Sequence, residues 1–573
     1  MSLNSVIVNI TEKAATVVNL ITAMLPKPYV DVRDYSSFAA AVGAIGSTKK
    51  TLLIPNEQPV SANIIDPSNI ELWFLQGGSL SIATGVTVTI NGHVEAGLYQ
   101  IFKWTGTGKV VFGAEAIKER YPEWWGADGH GTIDDTVPVQ AAFTSLLPYS
   151  TIGLKGNYLI SSINIVDQEG IQINSYNARL IGKDTGDYTH LLSIATSPCV
   201  SINGQLLIDT QFNLGYDCAI WVKSGHLKAW NITFYKTALC WKFGDVALPP
   251  ESGVAENFIF GSHFHACLRN VEIYGANSIV FFNGSLIHTG PLSDCGDAEW
   301  QAAHPAWCAA DFTSVRIFGG ILYVTGGELV CHRADDTNPA INLQPVNTTP
   351  PYNKEYGKAK LSNTHVETPK LCLTTNPGSI VSTDIGMCLD LIGCYGFVAN
   401  LDLIFIECDN LFIGGIDVRG CDFYAPVMRV NEAINALNPL ADIYVDDSSF
   451  GRNFIVGPPN FVGGTLHFLG KGETWIAATL LGAWVNFGAG YAAVGYSKDR
   501  FGMVHIKGVV KDGVITTSVF TLPAGYRPAD SEKFTCNSSG GIVDLMINPS
   551  GDVIPATGAN AWLSLSGTAF RAV

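Results

Sequence analysis

The chain has 573 residues and a formal net charge of −16, with 47% apolar and only 15% charged side chains. That length exceeds what one hydrophobic core serves and predicts roughly two to four domains. An acidic balance excludes a nucleic-acid partner, because phosphate binding needs clustered Lys and Arg, and no window reaches the ~18 apolar residues of a membrane span.

Glycine (59 residues) and aromatics (10%) are plentiful, which reads as mostly β. The 13 cysteines are odd in number, spread from Cys199 to Cys536, and contain no CxxC pair. A disulfide framework would be even and compact, so buried free thiols acting as small apolar fillers are expected, in a protein assembled in a reducing cytoplasm. Neither a basic n-region nor an uninterrupted apolar core opens the chain, so export by a secretory route is not expected. Metal-ligand spacings with a second half are missing, so no metal and no cofactor is predicted.

In chain order, residues 8–25 place Ile10, Ala14, Val17, Ile21 and Met24 at alternating spacings of four and three. This is a short a/d seam, predicting a helical stem over 1–28 that serves a trimer. Residues 29–123 form a β-rich capping domain, opened by the alanine-rich helix FAAAVGAIG and the strand TLLIP. Residues 124–160 repeat that grammar: WWGADGHGTIDDT, the helix PVQAAFTSLL, then STIGLKGNYLI. Asp135 or Thr136 is expected to cap this helix, with Pro138 in its first turn. Such a helix covers the open end of a β-stack. From about 150 to 470, short strands broken by Gly and Asn follow one another without helices, which predicts a solenoid over 124–475. Residues 476–573 alternate like a compact antiparallel domain, with hairpin turns expected at Asp512-Gly513 and Ser550-Gly551; trimerisation or sugar binding is its expected role.

Two stretches resemble known families. WWGADGHGTIDDTVPVQAAF (124–143) is similar to the entry motif of the pectate-lyase-like β-helix superfamily, and especially of bacteriophage tailspikes: an aromatic-Gly-Ala, Asp128-Gly129, then Asp134-Asp135-Thr136 and the capping helix. FTLPAGYRPA and the terminal SLSGTAFRA resemble the small β-domain that ends many phage tail fibres and spikes. The resemblance implies an all-β, right-handed parallel β-helix in a homotrimer. It also implies attachment to a phage baseplate or adaptor protein through the N-terminus, and a place in the virion after assembly in the host cytoplasm. The partner it implies is a bacterial surface polysaccharide, O-antigen or capsule. It leaves the reaction open, since the superfamily holds hydrolases, lyases and non-cleaving adhesins.

Residues at equal positions in successive coils form columns. Aligned by pattern, Val271-Glu-Ile-Tyr, Val315-Arg-Ile-Phe, Thr364-His-Val-Glu, Cys421-Asp-Phe-Tyr and Ser448-Ser-Phe-Gly send Ile273, Ile317, Val366, Phe423 and Phe450 inward. One solvent face is then expected to carry Glu272, Arg316, His365, Asp422 and Ser449, beside Tyr274, Phe318, Glu367 and Tyr424. Acids, one Arg, one His and flanking aromatics are what an oligosaccharide groove requires. Asn363-Thr-His-Val-Glu367 is the sharpest signal and resembles a groove-face strand of many tailspikes. Glu367 beside His365 has the makings of a general acid or base, with Asp422, Asp402 and Asp409 as further catalytic candidates. Glu272, Tyr274, Arg316 and Tyr424 are candidate substrate-binding groups. Trp300 and Trp307, in the long insertion 288–311, are candidate sugar-stacking groups. Paired carboxylates favour hydrolysis. A lyase would use His365 as base, with Arg316 and Tyr424 beside a uronate.

Overall fold

Asp135 occupies the N-cap position of the helix Thr136–Thr144, as expected, but the capping side chain is that of Asp134: its carboxylate accepts the Thr136 N–H at 3.0 Å and the Thr136 hydroxyl. Asp135 turns away and accepts the N–H groups of Asp128 (2.7 Å) and Gly129 (3.1 Å), tying the preceding loop down. The expected residue is therefore at the cap, but its buried carboxylate is engaged by that loop.

The computed structural model describes residues 12–14, 16, 29–114, 116–245, 254, 256–275, 278–289, 298–310, 313–331, 339–343, 357–368, 371–374, 387–397, 406–408, 415–419, 421–424, 428–430, 442–445, 465–468, 475–499 and 502–572. Nearly all of the expected 1–28 stem lies outside these residues, as does 448–451. The chain divides into two compact units, one built mainly from residues 1–415 and the other mainly from 465–573.

In the first unit parallel pairing begins at Tyr29, where Tyr29 partners Thr51 and Thr51 partners Glu71. From Thr151 to Val430 each coil gives one strand to each of three parallel sheets in turn. In the first sheet Thr151, Gln172, Ser201, Lys228, Phe258, Phe281, Tyr323, Lys360 and Asp390 stand in one continuous outward column. The residues after them in register, Ile152, Ile173, Ile202, Ala229, Ile259, Phe282, Val324, Leu361 and Leu391, form a column of buried apolar side chains. In the second sheet the outward column runs Asn157, Arg179, Leu207, Thr233, His263, Leu286, Glu328, His365, Tyr395. In the third it runs Asn164, Ser193, Trp221, Lys242, Glu272, Arg316, Asn342. Such stacking is a parallel β-helix, and parallel crossovers of this kind are right-handed in nearly all cases.

The corner from first to second sheet explains the spacing of Gly and Asn. A residue of positive φ recurs at these turns: Asn177, Gly204, Asn231, Gly261, Gly284, Gly326, Asn363 and Gly393, with φ between 50° and 87°. Only Gly, and Asn at modest cost, enters that region readily. The column is also tight, since a Cβ on Gly393 would lie 2.7 Å from the Asn363 Oδ1.

The second unit contains two antiparallel sheets over one apolar core that includes Trp484, Val504, Phe520, Leu545 and Phe570. Ser550-Gly551 lies in the turn joining Gly541–Ile547 to Asp552–Pro555. Asp512-Gly513 closes no hairpin: Val509–Lys511 pairs with Val485–Asn486 and Leu563–Ser564 instead. Gly513 serves close packing, because a Cβ there would fall 1.8 Å from the Trp484 ring.

Candidate functional site

Four neighbouring strands of the second sheet, Leu286–Thr289, Glu328–Cys331, His365–Glu367 and Tyr395–Phe397, bring together a group of acid–base side chains. Period-two alternation buries Ile287, Leu329 and Val366 inside the coil. It turns His288, Glu328, His365 and Glu367 outward. Glu328 faces His365 directly across the sheet and Glu367 stands beside Val330. Nε2 of His288 is 3.0 Å from Oε2 of Glu328, and Nδ1 of His365 is 3.8 Å from Oε1 of the same carboxylate. The His365 and Tyr395 rings lie 5.3 Å apart, and Tyr395 is 52% exposed. Glu328 thus sits between two imidazoles, all three partly exposed. A carboxylate flanked by two protonatable rings can exchange protons with a bound molecule.

The expected single column does not exist. Glu272 and Arg316 are neighbours, one coil apart, on the third sheet, whereas His365 and Glu367 belong to the second. Glu272 is only 4% exposed. It is held by Arg269 (2.8 Å), the Tyr274 hydroxyl (2.9 Å) and Arg316 (3.7 Å). Burial, and then Glu272, raises the Tyr274 pKa, and burial lowers that of Arg316. Tyr274 stacks on Phe318 at 4.5 Å. Glu272 is thus a buried carboxylate paired by its neighbours, which keeps its charge tolerable, while Tyr274 and Arg316 stay partly exposed. Trp307 is corrected too: it is 2% exposed, packs on Ala238, Ala266 and Leu268, and meets Phe212 edge-on at 5.1 Å. Its indole anchors the insertion to the helix instead of facing a sugar.

Trp300 lies in the helix Ala298–Ala303 and Asp422 and Tyr424 in the strand Asp422–Tyr424, with side chains outside the described part. Asp402 and Asp409 lie outside the described residues altogether. Among the described residues no three His, Cys, Asp or Glu side chains are grouped to hold a metal ion.

Sequence reading missed Glu328 and His288, whose signals were a Glu opening a strand (Glu-Leu-Val-Cys) and a His closing one (Leu-Ile-His-Thr). It also missed an aromatic band on the first sheet. Phe258, Phe281 and Tyr323 stack at 4.8 and 4.7 Å with planes 5° and 11° apart, and Trp230 stacks on Phe260 at 5.4 Å. Lys360 lies over Tyr323 and pairs with Asp390 at 2.8 Å. A cavity of about 600 Å³ near the helix Thr136–Thr144 is walled by Phe102, Trp104, Val110 and Trp125 and has no carboxylate in its lining.

No family model and no curated protein matches the chain. Solved structures do. A mutant tailspike protein of E. coli bacteriophage HK620, in complex with a hexasaccharide, is 12% identical, with a TM-score of 0.37 over 95% of this chain and 91% of that one. ORF18 of Geobacillus virus E2 is 12% identical (TM-score 0.30, 79% and 76% covered). The Dettilon tailspike protein is 11% identical (TM-score 0.28, 78% and 93% covered). The fold assignment rests on the strand registers given above, and phage tailspike proteins recur among the solved structures to which this chain is similar.

Proposed function

We propose that the chain binds a bacterial surface polysaccharide, O-antigen or capsule, on its second sheet and cleaves it by glycosidic hydrolysis. The observation that carries this is the pair Glu328 and Glu367 on adjacent strands, two residues apart in register. Strands ~4.8 Å apart and a rise of ~3.3 Å per residue put their Cα atoms about 8 Å apart. An inverting mechanism needs carboxyl groups ~6.5–9.5 Å apart to admit a water, and two Glu side chains leaving one face of the sheet from this Cα spacing can reach that separation. In this reading Glu328, flanked by His288 and His365, takes a proton from the attacking water. Glu367 protonates the leaving oxygen, and Tyr395 offers a ring face to a neighbouring sugar. Asp402, Asp409 and Asp422 remain candidate carboxylates, with Tyr424 and Trp300 as candidate sugar contacts.

β-Elimination is the second reading, with His365 as base. It is weakened by Arg316, its expected uronate partner, standing on a different sheet against Glu272. A non-catalytic adhesin is the third. The experiment is incubation with purified capsular and O-antigen polysaccharides, read by mass spectrometry. Products carrying an added water support hydrolysis. Unsaturated products replace it with elimination, and unchanged polysaccharide that still binds leaves an adhesin.

We further propose a homotrimer, seated on a phage baseplate or adaptor by its N-terminal residues and assembled in the host cytoplasm. The aromatic band supports self-association. Its rings stack face to face along the column, so it presents mainly apolar edges rather than sugar platforms. Its outward column from Ser201 to Lys360 carries no acid, in a chain of net charge −16. An apolar, acid-free patch suits contact with a like-charged copy.

A further inference from the structure

Asn270 is fully buried near the start of the strand Arg269–Ile273, inside the third sheet. Its side-chain amide donates to the Thr289 hydroxyl (3.2 Å), the His288 carbonyl (3.1 Å) and the Ser314 hydroxyl (2.9 Å). Its backbone N–H donates to the Ser314 carbonyl at 2.8 Å, which also accepts from Val271 at 3.0 Å. Thr289 ends a strand of the second sheet, and Val315 opens one of the third. The segment between them is the long insertion that carries Trp307. One buried amide therefore holds both roots of that insertion.

Bringing the ends of a long connection together costs chain entropy, and a buried amide with filled donors offsets it. The same contact fixes the residue on which acid–base geometry depends. His288 directly precedes Thr289, its carbonyl is bonded to Asn270, and its ring is 3.0 Å from Glu328. Nothing on the first or third sheet otherwise bonds this end of the strand to the coil before it through a side-chain amide among the described contacts.

We propose that Asn270 is a positioning residue: by pinning Thr289 and Ser314 it sets the His288–Glu328 contact and with it the protonation geometry of the site. The catalytic half of this inference rests on the reading of Glu328 given above; the pinning half does not. The sequence of causes is local. If the roots spread, the last residues of the strand rotate, and a ring at hydrogen-bond distance is lost by a displacement of under an ångström.

Two variants of the full chain test it. Asn270→Asp is isosteric but replaces two N–H donors with an acceptor facing three oxygens. Thr289→Val keeps the shape and removes one of those acceptors, and it decides the matter if Asn270→Asp does not fold. Crystal structures of both are expected to show the His288 ring more than 3.5 Å from Glu328, beyond normal hydrogen-bond reach. On a labelled O-antigen or capsular polysaccharide that the wild type shortens, kcat should fall on the order of tenfold or more with KM held within about twofold. Thr289→Ser, which keeps the hydroxyl, should restore it. An intact 3.0 Å contact in both variants, or wild-type kcat in folded protein, overturns the inference. Full turnover in Glu328→Gln overturns the catalytic reading separately, since the crystallographic separation still judges the pinning.

Discussion

Glu328 and His365 face each other across adjacent strands of the second sheet, and the same carboxylate holds the His288 ring at 3.0 Å from two-score residues back in the chain. Three side chains that share no local motif meet because consecutive coils stack in register.

The carboxylate pair predicts that Glu328→Gln and Glu367→Gln each keep the fold and polysaccharide binding while lowering turnover by ~10²-fold or more, the usual worth of a positioned acid or base. Circular dichroism and a binding isotherm establish the first part and product release the second. A folded Glu367→Gln protein with full activity would move suspicion to Asp402, Asp409 and Asp422.

Trp307 is buried against Ala238, Ala266 and Leu268. Trp307→Ala should destabilise the first unit by about 3–5 kcal/mol, the range for large-to-small changes at buried sites. Calorimetry on the full chain should show one transition lowered. A surface role would leave that transition unmoved and weaken glycan affinity instead.

Asp66 is fully buried, neither carboxylate oxygen makes a full hydrogen bond, and burial raises its pKa to about 7, opposed only by the Gly92 N–H. The folded pKa exceeds the unfolded value of 3.8. Stability is therefore fully present at acid pH and is lost as pH climbs from about 4 to about 7. Asp66→Asn removes this titration. It should stabilise the protein above pH 7 by up to about 4 kcal/mol, the worth of the full shift, with the gain vanishing towards pH 4. Unfolding curves at pH 4, 6 and 8 measure it, and a gain independent of pH would refute the assignment.

Phe281 sits in the middle of the aromatic band, between Phe258 and Tyr323. If that band joins copies of the chain, Phe281→Glu should convert the assembly to single chains of 61.4 kDa. Light scattering with unchanged circular dichroism is the measurement. A wild type already at the single-chain mass would remove the trimer proposal.

Much of this architecture was written in the sequence. Period-two alternation marked the strands, and the recurring Gly and Asn marked the corners, because only those residues enter positive φ cheaply. The helix before residue 150 announced the start of the long stack, and Asn363-Thr-His-Val-Glu367 already held two members of the acid–base cluster. Which strands share a sheet was decided only by the folded chain. Every coil contributes three strands with the same apolar alternation, so Thr364-His-Val-Glu matches Val271-Glu-Ile-Tyr by pattern although the two lie on different sheets. Insertions of unequal length between strands remove any fixed spacing by which the sheets could be counted. Glu328 meets His288 and His365 through backbone registers spanning whole coils, and Glu272 is buried by its arginines and tyrosine, so neither partnership leaves a trace in local order.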